Sequence, residues 1–104
     1  MAVDKPKTKK DKNILDVIRK RNCDCCGKKP SKDYPNQACH IKSKGAGGPD
    51  EEWNLYTGCP NCHIAQHAKG WSWMFEQYPF FRQVIYQKGW ILDGNKKLKR
   101  NNCA

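Results

Sequence analysis

No stretch of this 104-residue sequence approaches the roughly 18 consecutive apolar residues that a membrane-spanning helix needs. The lysine-rich N-terminus also lacks the apolar h-region of a secretory signal, so the expectation is a cytoplasmic protein with no membrane partner. Acidic residues are scarce: 10 Asp and Glu face 20 Lys and Arg, for a formal net charge of +10. That imbalance suits a polyanionic partner, because basic side chains that neutralise phosphates release condensed counterions. Many soluble basic proteins share it, so charge counts here only as support for a site. Histidine is rarer still. The chain has three, His40, His63 and His67, all in one stretch. No serine or cysteine nucleophile has a base and an orienting group at a workable spacing, which argues against covalent catalysis.

Cysteine is abundant, with seven residues. In a secreted chain they would suggest a disulfide framework. Their arrangement favours metal: Cys23-Asp24-Cys25-Cys26 and Cys59-Pro60-Asn61-Cys62 each offer a C-x-x-C knuckle, and together they supply four sulfurs for a tetrahedral structural Zn2+. Cys25 lies inside the first knuckle, where spacing selects Cys23 and Cys26. A redox C-x-x-C predicts one pair at a helix start, not two pairs bracketing histidines. One domain fits in this length, with a modest core that a zinc cross-link would reinforce.

His63 and His67 are four residues apart, a spacing that on a helix places both imidazoles on one face, able to hold one cation. His40 comes from elsewhere in the chain. With an ordinary pKa of about 6.5, a third imidazole is suited to accept a proton. The combination points to metal-assisted hydrolysis.

Cys39-His40, the Gly45-Ala46-Gly47-Gly48 loop, Asn54 and the Cys59–Cys62 knuckle running into His63 resemble the HNH endonuclease family over about residues 23–67. The resemblance implies an α+β fold: a small ββα-metal, treble-clef-like domain with structural zinc and flanking helices. It implies His40 as general base, Asn54 as the residue that orients the loop, and His63 as catalytic metal ligand with His67 beside it. It further implies hydrolysis of phosphodiester bonds in DNA, by nicking or double-strand cleavage, with a catalytic divalent cation (Mg2+, Mn2+ or Zn2+). Specificity would come from a second copy or a partner protein, and phage or mobile elements are the common setting for such short members. Many members carry His or Asp before the base, where this chain has Cys39. Three readings stand: Cys39 ligates the catalytic metal, water replaces the missing ligand, or Cys39 is a small buried strand residue. The opposing functional class is a non-catalytic zinc-dependent nucleic-acid-binding module. Asp50-Glu51-Glu52 does not make a PD-(D/E)-x-K site, since Trp53 and Asn54 stand where its lysine would be, and the triplet reads as a solvated loop.

Along the chain, residues 1–12 read as a basic disordered arm, 13–92 as the nuclease domain and 93–104 as a basic tail. Ile14, Val17 and Ile18 predict a helix that Asn13 can cap. Gln37–Ile41 and Leu55–Thr57 are strand candidates. A helix should run from Pro60 to Gly70, followed by helical faces at Trp71, Met74, Phe75 and Tyr78, and then at Phe81, Val84 and Ile85. Trp73 and Phe80 fall off those faces as candidates for base stacking. Cys103 reads as a free thiol on a frayed end.

Overall fold

A computed structural model describes residues 10–100, so the basic arm before Lys10 and Cys103 lie outside the described residues. The first helix, α1 (Lys12–Arg19), starts on a side-chain cap. The cap is Asp11, whose carboxylate accepts from the backbone N–H of Asn13 (3.0 Å) and Ile14 (3.3 Å). Asn13, the expected cap, sits inside the first turn; a carboxylate suits the positive end of a helix better than a neutral amide. Ile18 is fully buried, and its carbonyl accepts from the Thr57 hydroxyl at 2.7 Å.

Strands β1 (Gln37–His40) and β2 (Leu55–Gly58) pair antiparallel, with His40 opposite Leu55 and Cys39 opposite Tyr56. The helix α2 (Pro60–Lys69) follows β2 at once, completing a ββα unit. Pro60 takes the first helical position, where its missing N–H costs nothing, and Gly70 ends the helix with φ 87°, a conformation glycine adopts without strain. Helices α3 (Trp71–Gln77) and α4 (Pro79–Gln87) close over the ribbon. Their inward aromatics surround Tyr56: Phe81 lies 5.0 Å from its ring and Trp71 5.9 Å, with Phe75 5.6 Å from Phe81. Such ring pairs add about 0.5–1.5 kcal/mol each beyond area burial. The chain is thus an α+β fold of four helices and two small antiparallel sheets among the described residues, consistent with a ββα-metal domain.

The stretch read as a basic tail from residue 93 differs. Trp90–Leu92 (β3) and Leu98–Arg100 (β4) pair as a hairpin. Its turn is organised by Asp93, whose carboxylate accepts from Asn95 N (2.8 Å) and Lys97 N (3.0 Å). Lys96 takes φ 62°, a left-handed conformation that costs a lysine about 1 kcal/mol. Arg100 is fastened inward: its guanidinium lies 4.2 Å from the Trp53 ring centroid and donates to Lys88 O at 2.5 Å. Cation–π stacking on an indole draws this basic residue back onto the domain.

Candidate active site

The two cysteine knuckles come together. Sγ atoms of Cys23, Cys26, Cys59 and Cys62 all lie within 4.8 Å of one another. A tetrahedral zinc with bonds of about 2.3 Å needs sulfurs about 3.8 Å apart. Cys26 and Cys59 are already separated by 3.8 Å, and the other sulfurs lie close enough for small side-chain shifts to complete a four-thiolate site. Backbone N–H groups already point at the sulfurs: Cys59 N donates to Cys23 Sγ (3.3 Å) and Cys62 N to Cys59 Sγ (3.5 Å). The Cys25 thiol is not in the group. It hydrogen-bonds to Cys23 and holds that sulfur far below its ordinary pKa, in the thiolate form that binds metal. The first knuckle is tied to the ribbon by Asp24, which exchanges bonds with Thr57: Asp24 N to Thr57 O and Thr57 N to Asp24 Oδ2, both 2.8 Å.

Because Cys62 and His63 are neighbours on α2, the knuckle fixes the helix start that carries the imidazoles. His63 and His67 present their Nε2 atoms to each other at 3.0 Å. Metal–nitrogen bonds of about 2.0–2.1 Å span that gap at a bite of roughly 90–100°. His63 Nδ1–H donates to Gln37 Oε1 at 2.6 Å, which leaves Nε2 its lone pair. Burial, and then the charge of His67, lower the His63 pKa below 6.5 and favour the neutral, ligating form.

His40, at the end of β1, donates from Nε2 to Asp50 Oδ1 at 2.7 Å. Asp50 is 2 % exposed, and its other oxygen accepts from Asp11 N at 3.0 Å. Burial alone would raise its pKa; the bonds from His40 and Asp11 and the charge of Lys44 outweigh that and hold it below the ordinary value, as a carboxylate. Of the acidic triplet read as a solvated loop, Asp50 is buried instead, while Glu52 stays about half exposed. Glu51 bonds the Trp53 indole N–H, and Glu52 pairs with Arg21 at 2.6 Å and Lys88 at 3.1 Å. Closure of the loop between the strands brings each carboxylate to a donor distant in sequence or hidden in the turn.

Asn54 closes that loop. It is fully buried; Oδ1 accepts from Lys42 N (2.7 Å), and Nδ2 donates to Lys42 O and Pro49 O (both 3.0 Å). The glycine run serves close approach: a Cβ on Gly48 would sit 1.8 Å from Lys42 O and 2.8 Å from Asn54 Nδ2. Since backbone cannot yield as a side chain can, Gly48→Ala should lower stability by at least about 2 kcal/mol, read as a fall in melting temperature. Gly45→Ala, where a Cβ meets nothing within 4 Å, is the control and should change little.

Cys39 is 1 % exposed and joins the core. Its Sγ lies 3.7 Å from Gln37 O and against Gly58, and burial pushes the thiol up to about 12. Among the described residues the four knuckle cysteines are the one group of three or more candidate ligands that converge; Cys39 does not join His63 and His67 in another. The site residues to which the sequence reading gave no part in the site are Gln37 and Asp50. An acid in the same loop as a candidate base was the available clue to Asp50; nothing marked Gln37.

Residues 23–69 match the family model described as HNH endonuclease. This segment is similar to the HNH endonuclease family. No curated protein and no solved structure matches the chain. The matched HNH segment contains both knuckles, His40, Asn54, His63 and His67, and ends with α2. An HNH domain is a nuclease or nucleic-acid-binding module, which accords with the charge of +10, and no helix among the described residues is long and apolar enough to cross a membrane.

Proposed function

We propose that the protein is a metal-dependent DNA endonuclease in which His40 is the general base. The observation that carries this reading is the His40–Asp50 pair. A partly exposed imidazole oriented by a buried carboxylate is the arrangement a proton acceptor needs. Asp50 accepts from Nε2, so Nδ1 of His40 is the atom that takes a proton from water. Asn54 fixes the loop and with it the direction of that imidazole. His63 and His67 would hold the catalytic divalent cation, with Gln37 keeping His63 in the ligating tautomer. When bound, such a cation stabilises charge on the phosphate and the leaving 3′ oxygen. The four cysteines would hold structural zinc and so keep α2 in place.

Purified protein incubated with supercoiled plasmid should nick it when magnesium or manganese is added. Plasmid that is retarded in a gel yet stays intact with both metals would instead identify a zinc-dependent binding module. A domain of this size has few elements for reading base edges, so sequence specificity is expected to come from a second copy or a partner.

Of the three readings of Cys39, its core position supports the buried strand residue. Cys39→Ala should then cost about 1 kcal/mol and leave the metal dependence of cleavage unchanged. Cys39→Asp, which places a carboxylate among apolar side chains, should destabilise by about 3 kcal/mol or more. Thermal melts and magnesium titrations of both variants check this; improved magnesium use by Cys39→Asp would return the residue to the cation.

A further inference from the structure

Next to this site lies a cavity of about 480 Å³ that neither the base nor the imidazole pair uses. Ile41, Trp71, Trp90 and Leu98 form its apolar walls, and Lys42 stands beside them. Ile41 and Lys42 follow His40 directly, and Trp71 follows the glycine that ends α2, so the cavity adjoins both elements of the site. Lys96 and Lys97 reach it from the hairpin turn, and no acidic residue lines it. Its volume falls in the roughly 300–1,000 Å³ range of small-ligand sites.

The lining specifies a class of occupant. A bare anion has no use for two indoles, and an aliphatic ligand has no use for three ammonium groups. A flat aromatic group that carries negative charge uses both.

We infer that the cavity receives one unpaired nucleobase of the DNA strand, with the adjoining phosphates on Lys42, Lys96 and Lys97. The base stacks on the half-buried Trp71 indole, with the buried Trp90 lining the cavity beside it. Substrates with an unpaired nucleotide are then preferred over continuous duplex, where the base must first be drawn from its stack. The word substrate rests on the nuclease reading above; the binding does not.

The test uses the full-length, zinc-loaded protein with two oligonucleotides, one carrying 2-aminopurine in a one-nucleotide bulge and one carrying it paired in a duplex. No magnesium or manganese is added, so cleavage plays no part. The bulged DNA should bind about tenfold tighter or more, with 2-aminopurine emission quenched on binding. Ile41→Trp, which fills the cavity, and the Lys42→Ala/Lys97→Ala pair, which removes cations from exposed positions, should each cut the preference below about threefold while zinc content stays unchanged. If Ile41→Trp loses zinc, the lysine pair decides. Equal affinity of the wild type for both DNAs, or a full preference in the lysine variant, overturns the inference. Preference without plasmid nicking sinks the nuclease reading alone, and nicking without preference sinks this one alone.

Discussion

Serine in place of any one of Cys23, Cys26, Cys59 or Cys62 is expected to release zinc and unfold much of the domain. Four converging sulfurs hold together segments that are far apart in sequence, and the binding energy of a structural zinc is folding energy. A loss of about 3 kcal/mol or more corresponds to a fall in melting temperature of roughly 12 °C or more at this size. Zinc content by atomic absorption and a thermal melt read the two effects together. Cys25→Ser, which removes a thiol outside the cluster, should keep its zinc and melt within a few degrees of wild type. If Cys25→Ser loses zinc and Cys26→Ser does not, the two cysteines exchange roles.

Plasmid cleavage is expected to fall about 100-fold or more in His40→Ala, with zinc content and DNA binding nearly unchanged. The contrast with the cysteine variants is the point: His40 ends a strand and touches solvent, so its loss removes chemistry without removing the fold. Asp50→Ala should fall between His40→Ala and wild type, because the imidazole remains but has lost its partner. Nicking by His40→Ala at the wild-type rate would take the proton-acceptor role away from this residue.

Much of this arrangement was legible in the sequence because it depends on spacing. The two C-x-x-C pairs needed only to meet, and α2 shows its limits through Pro60 and Gly70. The two strands could be read from short apolar runs on either side of a glycine loop. What escaped depends on tertiary closure. Asp50 sits between a proline and two further acids, a context typical of solvated loops, and only the closed loop brings it to His40. Gln37 is an ordinary polar residue at a strand start until α2 packs beside it. The β3–β4 hairpin escaped for another reason: its strands have three residues each and β4 lies in a lysine-rich stretch, too short for a period-two pattern to stand out. For Cys39 the sequence left three readings open, a metal ligand, a position replaced by water or a buried strand residue, and the pleat of β1 sends its side chain into the core.

The Asn54 amide has a consequence for how this chain can change over time. It clasps Lys42 and Pro49, and between those points Ser43 to Gly47 are all exposed. Loop-closure entropy rises slowly with length, by about 0.6 kcal/mol for each doubling. The tip can therefore lengthen by several residues while the clasp keeps His40 and Asp50 in place. New contacts to a partner or a DNA groove can be acquired there by insertion, and shuffling the tip sequence is a direct way to alter target choice with the reaction centre left alone.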